Sequence, residues 1–169
     1  LQWEILRTPS GVSIVPNGER GLVLPLEINN IRSQCHAGFV GLRQMHNVFS
    51  INTEMHFMPQ TPTEFAGLAM FLSDDNNYEF GIGYKEDDCM LILQKAIKDD
   101  SGISKAEIKS QRVPEDFEGR IYLKVERADD GFVFSYKTTP EEEYTIFADK
   151  IPVEYLSLGR RNVFYGTLL

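Results

Sequence analysis

Apolar residues recur at every second position along most of this chain, and a chain patterned that way folds into β-strands with one face turned to a core. The clearest run sets Phe49, Ile51, Thr53, Met55 and Phe57 against Ser50, Asn52, Glu54 and His56. Residues 65–72 are apolar on both faces. Tyr78, Phe80, Ile82 and Tyr84 then alternate with Asn77, Glu79, Gly81 and Gly83, and Cys89, Leu91 and Leu93 interleave with Met90 and Ile92. These three consecutive runs predict a meander through the centre of one sheet.

Further along, Ile121, Leu123 and Val125 alternate with Tyr122, Lys124 and Glu126. After Asp129-Asp130-Gly131, Phe132, Phe134 and Tyr136 alternate with Val133, Ser135 and Lys137. Asp-Gly between two such runs predicts a tight hairpin, because glycine supplies the positive φ that these turns use. Residues 3–6, 22–26, 103–113, 144–147 and 163–169 complete the set of strands, with one helical turn expected in 152–158. Short strands punctuated by Gly, Pro, Asn and Asp predict an all-β fold, a two-sheet antiparallel β-sandwich. With no internal repeat or low-complexity stretch, a single domain over residues 1–169 is expected.

Composition excludes several function classes. No apolar run approaches the ~20 residues needed to span a bilayer, so no membrane partner is expected. The net charge of -8, spread along the chain, opposes a phosphate backbone and argues against nucleic acid. Cys35 and Cys89 lie far apart with no metal-ligand spacing near either, and they leave the compartment open. The chain starts at Leu1 and stops at Thr167-Leu168-Leu169 inside a strand-like run, which reads as a piece of a longer polypeptide.

Five acidic clusters invite a catalytic reading: Asp74-Asp75, Glu86-Asp87-Asp88, Asp99-Asp100, Glu115-Asp116 and Glu141-Glu142-Glu143. Glycoside hydrolysis needs two carboxylates facing each other across a sugar. No strand here carries acids at the one-face spacing of catalytic sandwiches, and every cluster falls at a turn position. Solvated turn charge is the expected role, and no catalytic residue is assigned. No metal site is assigned either, although a structural calcium ion is the one cofactor such turns are suited to take. His36, His46 and His56 lack metal-ligand spacing and are read as structural or exposed. Flat aromatic rings can stack on pyranose C–H faces, which makes Trp3, Tyr78 and Tyr84 the carbohydrate-binding candidates, with Tyr122 and Tyr136 as further rings of the same kind.

Four longer stretches carry a resemblance to a known family. The stretch Gly38-Phe39-Val40-Gly41-Leu42-Arg43-Gln44-Met45-His46 resembles the arginine-glutamine-x-histidine signature in the C-terminal domain of family 43 glycoside hydrolases, the β-xylosidase and α-L-arabinofuranosidase group. Glu64-Phe65-Ala66-Gly67-Leu68-Ala69-Met70-Phe71 and Asn76-Asn77-Tyr78-Glu79-Phe80 are similar to its next segments, in the same order. Asn162-Val163-Phe164-Tyr165-Gly166-Thr167 resembles the segment that opens its last strand. The resemblance implies a concanavalin A-like jelly roll that is itself non-catalytic. It also implies an upstream catalytic propeller in the same chain as partner, and an oligosaccharide substrate of the xylo or arabino class handled by that parent, through which an oligomer could form. Phe164, with Tyr165 and Asn162, is then expected near the mouth of the sugar pocket. Arg43, Gln44 and His46 are expected to brace the fold or the propeller interface, Arg43 through a multi-point bracket. The alternative is an autonomous, lectin-like carbohydrate-binding module.

Overall fold

The computed structural model describes residues 3–7, 15–16 and 21–156. Its strands in chain order are β1 (Trp3–Ile5), β2 (Val15–Pro16), β3 (Leu22–Val23), β4 (Val40–Leu42), β5 (Phe49–His56), β6 (Phe65–Ser73), β7 (Asn76–Lys85), β8 (Asp88–Asp99), β9 (Gly102–Arg112), β10 (Arg120–Ala128), β11 (Gly131–Lys137) and β12 (Thr145–Ile151). A 3-10 turn at Glu154–Leu156 follows, inside the stretch where a helical turn was expected. Two four-stranded antiparallel sheets, in the orders β6-β7-β8-β9 and β12-β11-β10-β5, form the two layers of a sandwich, accompanied by the small pairs β1-β4 and β2-β3. The β6-β7-β8 meander is present, although β6 ends its sheet among the described residues instead of lying at its centre.

Alternation builds the core. Phe80 and Ile82 of β7 and Leu91 and Leu93 of β8 face Ile121, Leu123, Val125 and Phe134 of the opposite sheet, all at most 1% exposed. The rings of Phe80 and Phe134 meet edge to face at 5.4 Å, the geometry their quadrupoles favour. Each such side chain contributes about 1.5–3 kcal/mol by leaving water, so pairing across the layers is what holds the sheets together. β5 alternates half-buried with exposed residues as its pattern predicts.

The tight turns obey local chemistry. Glu86 and Asp87 both take positive φ, 55° and 60°, the requirement of a two-residue hairpin turn whose twist matches its strands. Gly131 departs from expectation. The two-residue loop is Asp129-Asp130, closed by the pair Ala128 and Gly131, so the glycine stands after the turn. A Cβ there would meet Lys150 Cα at 2.8 Å, so the absent side chain lets the β12 backbone approach.

Polar segments are pinned to the outer face of the β6–β9 sheet. There the strap formed by residues 24–39 sets Arg32 against Glu79 of β7 and Phe39 against Phe71 of β6, ring centroids 5.9 Å apart. Arg7 is ion-paired with Asp74 and also donates to the Cys35 carbonyl at 3.2 Å.

Candidate functional site

The arginine-glutamine-x-histidine signature begins on a strand pair and ends on open surface. Gly38 lies where a Cβ would stand 2.8 Å from the Pro25 carbonyl oxygen, which accounts for the glycine. Phe39 is buried, and Val40–Leu42 pairs with Trp3–Ile5. Arg43 then turns outward, its side chain 53% exposed and its nearest carboxylate, Glu4, at 3.9 Å. This is one loose ion pair in place of the expected multi-point bracket. The loop that follows runs along the surface and leaves Met45, His46 and Val48 exposed beside it. The Gln44 side-chain amide donates to the His46 carbonyl at 2.8 Å and fixes the loop locally.

The aromatic candidates separate. Tyr78 is a core residue, 2% exposed, with its hydroxyl donating to the Pro152 carbonyl at 3.0 Å. It therefore has no face to offer a sugar, because it occupies an inward position of β7 between Phe132 and Tyr155. Burial, with the nearby Tyr155 and Glu154, pushes its pKa up to about 12. Tyr84 is half-buried opposite Cys89. Trp3 is placed by its backbone alone, opposite Leu42. Tyr136 accepts a hydrogen bond from Gln111 at 3.0 Å, and Tyr122 lies under the Lys137 ammonium at 5.4 Å. Phe164, Tyr165 and Asn162 lie outside the described residues.

Each acidic cluster is built into a turn. Asp75 accepts from the Ser73 hydroxyl at 2.7 Å within the turn between β6 and β7. Asp88 accepts from the Cys89 amide and pairs with Arg112 at 2.6 Å. Asp99 accepts from the Ser101 hydroxyl and amide, which lower its carboxyl pKa. The Phe117 amide donates to the Pro114 carbonyl across Glu115-Asp116. Glu142 accepts from the Thr138 and Thr139 amides, which hold its carboxyl below the usual carboxylate range. Among the described residues, no three His, Cys, Asp or Glu side chains converge to hold a metal ion. His36 approaches Glu27 at 3.3 Å and His56 approaches Glu54 at 3.0 Å, on separate elements.

Sequence reasoning missed a buried charged group. Glu79 pairs with Arg32 and accepts from the Gln94 amide at 3.0 Å, while burial lowers the Arg32 pKa. Glu79 and Gln94 occupy outward positions in their strands, where alternation alone predicts solvent.

The architecture is a concanavalin A-like sandwich whose acids serve its turns. The chain belongs to the family of β-xylosidase C-terminal concanavalin A-like domains, whose model matches residues 1–169. No curated protein matches the sequence. Among solved structures, it is similar to a family 43 glycoside hydrolase retrieved from a capybara gut metagenome, at 20% identity and TM-score 0.82, over 98% of this chain and 31% of that one. It is equally similar to a xylan β-1,4-xylosidase from Bacillus halodurans, at 20% identity and TM-score 0.82, over 99% and 32%. The family 43 protein BlXynB from Bacillus licheniformis matches at 19% identity and TM-score 0.80, over 98% and 32%. The chain thus spans about a third of the length of these solved proteins.

Proposed function

We propose that this domain is the non-catalytic accessory part of a glycoside hydrolase acting on xylo- or arabino-oligosaccharides, packing on the catalytic domain of the same polypeptide and helping to shape its substrate pocket. The observation that carries the reading is the extent of the likeness: 98–99% of this chain corresponds to only 31–32% of each solved family 43 protein. The use of every acidic cluster in a turn supports it, since hydrolysis of a glycosidic bond needs two carboxylates free to face a sugar. An intrachain interface commonly buries ~600–1,500 Å², enough for one domain to set the stability and pocket shape of its neighbour.

The test is removal of this domain from the full polypeptide, with kcat, KM and thermal unfolding measured on xylosides and arabinosides. The reading expects a loss of kcat/KM or of catalytic-domain stability. A catalytic part that keeps its kinetics and its melting temperature without the domain would overturn it.

A further inference from the structure

Residues 21–28 form an extended ribbon whose side chains all lie exposed. Within it, Leu22, Val23, Leu24, Leu26 and Ile28 are large aliphatic groups, Leu26 56% and Ile28 102% exposed. A single exposed leucine calls for no explanation, but five exposed aliphatic side chains in seven consecutive residues concentrate apolar surface in one segment, the usual mark of a surface that is covered in the assembled protein. Only Leu22–Val23 pairs as a strand, with Val15–Pro16. Pro25, having no N–H, suits a segment that does not extend that ladder.

The backbone of the ribbon is nevertheless held. The Pro25 carbonyl sits over Gly38, so close that a Cβ on residue 38 would lie 2.8 Å from its oxygen, and Glu27 pairs with His36 at 3.3 Å. Farther along, Arg32 is locked to the buried Glu79. A ribbon whose backbone is held in this way, with its aliphatic groups exposed, is preorganised for docking and loses little freedom when covered.

We infer that the Leu22–Ile28 ribbon is the surface on which the catalytic domain of the same polypeptide docks. The inference rests on the accessory-domain reading above. The family is that of a C-terminal domain, and its solved relatives carry about twice this chain's length again. The one carboxylate of the ribbon, Glu27, lies 3.3 Å from the His36 ring, and the other side chains named are aliphatic, so a largely apolar cover suits it.

The experiment places Leu26→Glu and Ile28→Glu together in the full polypeptide. Wild type is expected to unfold in a single calorimetric transition, and the double variant in two. Protease cutting between the domains should accelerate about tenfold or more, as for an interface that has lost its apolar anchors. One transition and unchanged cutting would overturn the inference. Hydrogen exchange of the β7 and β8 amides guards against a folding defect: if their protection falls in the double variant, the ribbon is part of the core and the inference fails. Sedimentation separates a second copy as occupant, since loss of a dimer without splitting of the transition also overturns docking on the catalytic domain. Deleting the whole domain separates the two readings. An effect of deletion without an effect of the double variant defeats the ribbon alone, whereas no effect of deletion defeats the accessory role as well.

Discussion

The guanidinium of Arg32 meets the carboxylate of Glu79 beneath the strap of residues 24–39, with the two side chains 10% and 8% exposed. A buried pair of this kind gains little over an apolar substitute, but removing one partner strands the other charge away from water. Arg32→Met or Glu79→Leu alone should therefore destabilise the domain by about 3–5 kcal/mol, while the double variant should cost clearly less than the sum. Chemical denaturation of the four proteins checks this. Additive losses would show that the two groups do not act as a unit.

The same pair marks where the sequence could and could not be read. Phe80, Ile82, Leu91 and Leu93 were legible because period two states directly which residues face the other sheet. Glu79 and Gln94 obey the same period and point the other way, yet they are buried because a strap from far upstream crosses the outer face. Nothing local in the sequence encodes that cover. β8 shows the consequence: its unbroken apolar run stops at Leu93, but the strand continues to Asp99 along its ladder with β9, and Gln94 is bonded to Glu79 of β7. The acidic clusters were legible as turns, because Asp and Glu beside Asn, Gly, Ser or Thr bond their own backbone. The outward course of Arg43 was not, since it depends on the loop after β4.

Tyr78 makes stability depend on alkaline pH. A phenol near 10 in the unfolded chain that is pushed up to about 12 in the fold holds its proton more tightly in the native state. Its contribution is complete below about pH 10 and is lost as pH rises towards about 12. Cys89, raised from 9.0 to about 11 by burial and the charge of Asp88, adds in the same direction between about pH 9 and 11. Tyr78→Phe should lower stability at pH 7 by about 1 kcal/mol through loss of the bond to Pro152, and should flatten the fall between pH 10 and 12. Denaturant midpoints at pH 7, 10 and 11.5 test both effects, and an unchanged alkaline slope would remove Tyr78 as their source.

Gly67 and Gly81 face each other across β6 and β7. A Cβ on Gly67 would run into the Phe80 carbonyl, and one on Gly81 into the Ala66 carbonyl, so the obstacle in each case is backbone. Backbone within a sheet cannot swing aside as a flexible side chain does. Gly67→Ala and Gly81→Ala should each cost about 1–3 kcal/mol, although alanine is otherwise the better residue for limiting unfolded-state entropy. Gly102, with φ of 126° but open space around it, is a useful contrast: alanine there meets strain without a clash. Thermal unfolding of the three variants would rank them, and a neutral Gly81→Ala would mean that the strands can separate.

Arg43 separates a structural from an interdomain role for its signature. Its side chain is more than half exposed and its ion pair with Glu4 is loose, so Arg43→Ala should change the stability of this domain by at most about 1 kcal/mol. In the full polypeptide the interfacial role predicts something larger: a lower melting temperature of the catalytic domain or a reduced kcat/KM, not reproduced when Glu4→Gln removes only the local partner. Phe164→Ala in the same background tests the pocket half of the proposal, and is expected to raise KM or lower kcat with the fold intact. If Phe164 is instead a core aromatic, the change should cost about 3–5 kcal/mol of domain stability. Kinetics and unfolding measured together on Arg43→Ala, Glu4→Gln and Phe164→Ala distinguish these cases. Wild-type kinetics and melting for Arg43→Ala would take the signature out of the interface, and wild-type kinetics with a large fall in melting temperature for Phe164→Ala would take that ring out of the pocket.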